Sequence, residues 1–379
     1  MTAEKRGLEA PHRRLEHGPR ILEKLAVAGY AVATWVVAHV PGPLARWVIG
    51  TGAQASYLVW PKKRRWSNAN FGHVTGLPPG HPRVRRLALA AYREYARYLV
   101  EVMQLESLSP EHAETRVTQA DLDIIEHAWT DSPGGLIFAL GHVGNNEAVA
   151  AAVAGRGWPI SVVADDSSFP EMFEHFRRLR EGWGVHIIPW RNLREIFTVL
   201  RRKEMLGLLV DWGYRSDGIP VRLFGAWTTL PAGPALLAAK TSSRILPVSI
   251  RRQPGGLFHV SFASTIDVPT SSPADLQRAT QSLADALAAT IAAAPEQWYS
   301  FKPIWPETAE EAAELERRAA AMLAGDAEPG VASATTTAPA GVPGSGVASA
   351  APAPAGPADV PPGDPDRNRL PAEAEGHPA

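Results

Sequence analysis

The 379-residue chain contains no cysteine, which excludes disulfides, thiolate metal sites and a cysteine nucleophile while leaving the redox compartment open. It has no G-x-S-x-G nucleophile elbow, no Walker A loop and no H-E-x-x-H pair, and Gly155-Arg156-Gly157 is not completed to G-x-G-x-x-G. A dinucleotide, ATP or zinc enzyme is therefore unsupported, and neither a metal nor a resident cofactor is expected. Long hydrophobic runs are missing too. The charge-free stretch LAVAGYAVATWVVAHV, from Leu25 to Val40, has 16 residues where a bilayer span needs about 20. No small-residue cleavage site follows a compact apolar stretch, so no secretory signal is read.

What is present allows a large core: 45% of residues are hydrophobic and 20% charged, enough for one large domain or two small ones. The formal charge of -1 conceals an asymmetry, because residues 1–306 carry 34 Lys+Arg against 27 Asp+Glu, a net of +7, and the remainder is acidic. A basic body points to an anionic partner, either phospholipid headgroups or a phosphorylated cofactor, although a merely solvated basic surface fits the charge equally well. Nucleic acid is not expected. The first twenty residues are polar and basic, with Arg13, Arg14 and Arg20. A second apolar stretch, LARWVIGTGAQASYLVW from Leu44, runs up to Lys62-Lys63-Arg64-Arg65, and Trp35, Trp47, Trp60 and Trp66 lie in or beside the two stretches. Tryptophan favours membrane interfaces. A hairpin or helix lying in the membrane surface, with the basic cluster on anionic lipid, is the expected arrangement, and a pair of core helices is its competitor.

From Pro82 to Val102 apolar residues recur at helical spacing. Short β-type runs then alternate with helical ones: GLIFAL, an Ala-rich stretch to Gly155, ISVVA, PEMFEHFRRLREGWG, VHIIP, NLREIFTVLRRK, MLGLLV, PAGPALLAAKT and ILPVSI. The alternation predicts an α/β fold with a mixed, largely parallel central sheet flanked by helices. LFHVSFAS, after Pro254-Gly255-Gly256, reads as a strand antiparallel to ILPVSI, and LQRATQSLADALAATIAAA as a helix stopped by Pro295. The expected organisation is an N-terminal polar segment with membrane-associated helices (1–66), an α/β domain (67–306), a surface helix (307–324) and a disordered Ala/Pro-rich tail (325–379).

Residues 136–147, LIFALGHVGNNE, carry the chemistry. His142 to Glu147 is the one H-x4-acid pair in the chain, yet with 12 histidines chance supplies about one, so spacing proves little and position matters. Gly141 follows a buried-type strand, Gly144 permits a tight turn, and Asn145 and Asn146 are N-cap types before the Ala-rich helix. The carboxyl end of a parallel strand beside a helix N-terminus faces the crevice where α/β proteins bind ligands. A histidine there can act as general base, with Glu147 one turn into the helix reaching back to fix its tautomer; the alternative is a histidine that caps a helix or satisfies a core carbonyl. Such a base can deprotonate an alcohol as it attacks a thioester, whose thiol leaves readily with a pKa of about 8.5.

GHVGNNE resembles the H-x-G-N-W-[DE] motif of bacterial lipid acyltransferases, the group containing lipid A lauroyl/myristoyl transferases and phosphatidylinositol mannoside acyltransferases. The resemblance runs from about Leu25 to Pro306. RRWSNANFGHVTG is similar to the group's N-terminal R-x-x-N stretch. FRRLREGWGVHIIP resembles its Arg-Glu segment, at Arg180 and Glu181, and LLVDWGYRSDGIPVRLFGAWTTLPAGPALLAAKTSSRILPV its Asp-to-GPA block. PEQWYSFKPIW resembles its closing QW-aromatic motif. Two positions depart: Asn146 stands where the group usually has Trp, and Trp212 where actinobacterial members often have Arg.

The resemblance implies a glycerolipid-acyltransferase-like fold and an O-acyltransferase at the cytoplasmic face of the cell membrane. It would use acyl-CoA or acyl carrier protein as co-substrate, with His142 as base and Glu147 as its partner. Asn145, Arg178, Arg180, Glu181, Asp211 and Arg222 are the candidate substrate-binding residues. Four have a plainer reading: Arg178 and Arg180 a solvated helix face, Asp211 an N-cap or turn carboxylate at a strand end, Arg222 an ordinary strand position. A phosphatidylinositol mannoside is the type of acceptor implied. The alternatives are a lysophospholipid acyltransferase with related chemistry and a non-catalytic lipid-binding relative.

Overall fold

The computed structural model describes residues 20–324, apart from 106–114, 116, 120–121 and 167–169. The expectations for the polar N-terminal segment and the Ala/Pro-rich tail lie outside the described residues. The described residues begin with two helices, α1 (Arg20–His39) and α2 (Gly42–Val59). They are parted at Pro41, which has no N–H to continue a helix. Among the described residues no helix is long and apolar enough to cross a membrane. Helix α3 (Pro61–Thr75) and the long α4 (Pro82–Leu105) follow. Ala53 and Tyr57 of α2 and Ala96 of α4 are buried in this layer, whereas Val32, Trp35, Leu44, Trp47, Val48, Leu58 and Val59 stay exposed.

Beyond this layer lies a seven-stranded sheet of order β1-β9-β8-β2-β5-β3-β4. Its strands are β1 (Val117–Gln119), β2 (Leu136–Leu140), β3 (Ile160–Ala164), β4 (His186–Pro189), β5 (Met205–Leu209), β8 (Arg244–Arg252) and β9 (Phe258–Phe262). Five strands run parallel; β9 is antiparallel to β8, and β1 pairs parallel with β9. The mixed, largely parallel α/β sheet read from the alternation is thus the observed one. Strands β6 (Ile219–Leu223) and β7 (Ala226–Leu230) form a separate antiparallel hairpin.

Strand β2 shows why the central run is continuously apolar. Both faces are covered, so Leu136 and Phe138 enter one core while Ile137 and Ala139 enter the other. On the first face lie α5 (Leu122–Thr130), α6 (Asn146–Gly155) and α7 (Pro170–Gly182), through Ile125, Ala148, Ala151, Phe173 and Leu179. On the second lie α8 (Leu193–Arg201), α9 (Gly233–Thr241) and α10 (Pro273–Ala293), through Ile196, Ala238, Leu283 and Leu287. Helix α11 (Ala309–Ala324) packs against α10 and the hairpin.

The topology makes a crevice. From β2 the chain leaves toward β3 on one side, and from its neighbour β5 it leaves toward β8 on the other. Adjacent parallel strands whose exits diverge leave an opening at their carboxyl ends, where ligands of α/β proteins bind.

Candidate active site

His142 and Asp211 meet at that opening. β2 and β5 are paired in register, with Leu140 opposite Leu209, and the Val210 N–H donates to the Leu140 carbonyl at 2.9 Å. The residues two positions past each strand end therefore face one another. The His142 Nδ1 lies 2.6 Å from Asp211 Oδ1, and the His142 backbone N–H donates to the same carboxylate at 2.9 Å. Trp298 Nε1–H donates to Asp211 Oδ2 at 2.8 Å. An ionised carboxylate only accepts, so the ring proton sits on Nδ1 and Nε2 is left as the acceptor.

The Asp211 side chain is fully buried, whereas 29% of the imidazole is exposed. Burial alone would push the His142 pKa down; the charge and hydrogen bond of Asp211 outweigh it and hold the ring above its ordinary 6.5. Burial likewise pushes Asp211 up, but His142 and the N–H donors around it bring the carboxyl below its ordinary 3.8. This is an oriented base with an ionised partner.

The expected ring partner, Glu147, is corrected by the structure. Glu147 receives Arg180 instead, with Nε at 2.8 Å and Nη2 at 2.5 Å. Both side chains are mostly buried. At the first turn of α6 the carboxylate faces α7, whereas the register of β2 and β5 delivers Asp211 directly to the ring. Arg180 also stacks on Phe176, 5.3 Å from its ring centroid, and Tyr30 of α1 packs edge-on against Phe176 and His175.

The other candidates divide. Asn145 caps α6, accepting from the Ala148 N–H at 3.0 Å, and its amide donates to Glu101 at 3.1 Å. Arg178 is exposed and pairs with Glu174 on its own helix, and Glu181 pairs with Arg177. Arg222 stands on the separate hairpin, paired with Glu316 and stacked on Trp227, so its side chain is committed there.

The histidine loop is clamped from several sides. A Cβ on Gly144, which has φ +69°, would run into the Ile250 carbonyl oxygen, so that position requires glycine; one on Gly141 would meet the end of the Leu287 side chain at 2.6 Å, which would have to shift. The closing segment, residues 297–305, lies alongside: the Tyr299 N–H donates to the His142 carbonyl at 2.8 Å and the Gly144 N–H to that of Gln297 at 3.2 Å. Asn70 of α3 anchors this segment by donating to the Lys302 carbonyl at 2.7 Å. The stretches around Asn70 and Trp298, far apart in the chain, are thus one structural unit.

Behind Asn145 lies a buried ion cluster. Arg252, with 2% of its side chain exposed, donates to Glu101 at 2.7 and 2.9 Å and to Glu94 at 2.5 Å. Replacing it with methionine leaves Glu101 without a cation and Glu94 with Arg97 alone. Arg252→Met is expected to cost about 3–5 kcal/mol, the usual penalty for breaking a buried ion pair, read as a lowered Tm or urea midpoint; an unchanged midpoint would show that the cluster does not brace the loop.

Three contributors carried no role in the sequence reading: Trp298 on Asp211, and Trp212 with Lys302. Trp212 is half-exposed, with its ring centroid 6.2 Å from that of His142, and Lys302 Nζ stands 4.0 Å from the centroid of its ring. The QW motif was the visible signal for Trp298.

Comparison with known proteins gives the family. Residues 19–307 match the family described as bacterial lipid A biosynthesis acyltransferase. The chain is 30% identical over 285 residues to a phosphatidylinositol mannoside acyltransferase of Mycolicibacterium smegmatis, covering 73% of this chain and 90% of that one. To a protein of the same name in Mycobacterium tuberculosis it is 26% identical over 283 residues, covering 73% and 87%. The chain belongs to the bacterial lipid A biosynthesis acyltransferase family and is an acyltransferase.

Proposed function

We propose that the protein moves a long-chain acyl group from acyl-CoA or acyl carrier protein to a hydroxyl of a membrane glycolipid of the phosphatidylinositol mannoside type. The observation that carries this reading is the half-open imidazole with Nδ1 on a buried carboxylate. His142 Nε2 takes the proton of the acceptor hydroxyl as its oxygen bonds to the thioester carbonyl carbon. The tetrahedral intermediate then collapses, the C–S bond breaks, and the imidazolium returns the proton to the departing thiolate. Asp211 holds the tautomer and stabilises the imidazolium, while Trp298 holds Asp211.

Glu147, locked to Arg180, ties the first turn of α6 to α7; its place in the reaction is one of positioning. Asn145 serves the same end through its cap. The names of the relatives supply the acceptor class. The exposed Trp35 and Trp47, with Leu44, Leu58 and Val59 ahead of the basic cluster, support a protein seated on the cytoplasmic face of the membrane rather than crossing it.

The test offers purified protein an acyl-CoA or acyl carrier protein donor, with a phosphatidylinositol mannoside or lysophosphatidate in vesicles, and reads products by mass spectrometry. Acylated glycolipid is expected. Preferential consumption of lysophosphatidate would overturn the acceptor assignment.

A further inference from the structure

A cavity of about 730 Å³ opens between α3 and the closing segment, apart from the dyad. Lys62, Arg65, Trp66, Ala69 and His73 line it from α3, with Trp305 and Glu307 opposite. Their spacing along α3 places these side chains on one helical face. The wall is aromatic: His73 stacks on the buried Trp305 with centroids 4.2 Å apart and 16° between planes, and Lys62 Nζ stands 4.9 Å from the centroid of the Trp66 ring. Among the described residues no ion pair engages Lys62 or Arg65, so two cations face a cavity whose lining carboxylate, Glu307, is paired with neither.

Position adds to the chemistry. Helix α3 starts directly after the exposed Leu58 and Val59, so the cavity adjoins the apolar surface. Positive charge continues outside its lining: Lys63, next to Lys62 in α3, acts electrostatically on Lys302, which stands over Trp212 beside His142.

We propose that this cavity is a phosphate site for a substrate whose phosphate is attached to a ring. Lys62 and Arg65 bind the phosphate oxygens, Trp66 and the His73–Trp305 stack receive the ring face, and Glu307 accepts from a ring hydroxyl. Two sources share this chemistry: the phosphodiester-linked polyol headgroup of an acceptor glycolipid, and the nucleotide end of acyl-CoA. Only the choice of these two sources rests on the acyl-transfer reading.

The experiment is calorimetric titration of the purified full chain with glycerophosphoinositol in one arm and adenosine 3′,5′-bisphosphate in the other. The arm that binds names the source. Lys62→Gln/Arg65→Gln is expected to weaken that binding about tenfold or more, the scale of a lost charge-assisted hydrogen bond. Ala69→Phe, which fills the cavity without altering charge, is expected to act in the same direction, with circular dichroism showing both variants folded. Binding is read without turnover, so the result stands even if acyl transfer is not the reaction. If the wild type binds neither probe, or both variants bind as the wild type does, the site is refuted. Normal acyl transfer by both variants with unchanged KM for both co-substrates refutes it equally and leaves the acyl-transfer reading intact.

Discussion

His142→Ala is expected to lower kcat for acyl transfer by about 10²- to 10⁴-fold, the range a positioned general base contributes, with little change in KM for the donor. The reason is geometric: with Nδ1 on Asp211, Nε2 is the ring's remaining acceptor, and alanine leaves nothing there to take the hydroxyl proton. Removing the ring also leaves the fully buried Asp211 carboxylate without its charged partner, so the unfolding midpoint is expected to fall, and circular dichroism is used to show that the variant is folded at the assay temperature. Wild-type turnover in the folded variant would sink the mechanism.

Asp211→Asn is expected to reduce kcat by about 10²- to 10⁴-fold, the scale of losing the group that fixes a catalytic histidine's tautomer, and to move the pH profile. The carboxylate accepts three N–H groups, from the His142 backbone, the His142 ring and Trp298. An asparagine amide would turn an NH₂ toward one of these donors, leaving two donors facing each other. The sign of the pH effect follows from the shift. Asp211 raises the His142 pKa above 6.5, and the base works when neutral, so wild-type activity climbs as pH rises through that raised value. Without the negative charge the ring loses its proton more easily, and the acid limb moves to lower pH. Glu147→Gln disrupts a pair with Arg180, not with the ring, so its acid limb is expected to stay in place. A limb that moved in Glu147→Gln and stayed fixed in Asp211→Asn would reverse the assignment.

The contrast between those two carboxylates shows what could be read in the chain. Gly141, His142, Gly144 and Asn145 sit within one loop, and local rules sufficed for them: an apolar strand, a tight turn, a cap. Asp211 was legible as a residue at a strand end, but nothing local says which strands are neighbours. Glu147 was the nearer acid in sequence, and proximity in sequence was the wrong guide. The setting of Arg222 was hidden for a similar reason, since the alternation in VRLFG marks a strand without revealing that it belongs to a hairpin outside the main sheet.

The sequence by itself determined the α/β class, the placement of a histidine at a strand's mouth, and an N-terminal apolar stretch too short to span a bilayer, because each depends on periodicity, turn chemistry or length within a few residues. Tertiary structure alone decided that Asp211 and not Glu147 holds the ring, that Trp298 holds Asp211, and that Lys62 and Arg65 share a cavity with Trp305. Those pairings depend on strand order and on a segment returning from the far end of the chain, and long-range pairing is written in no local pattern.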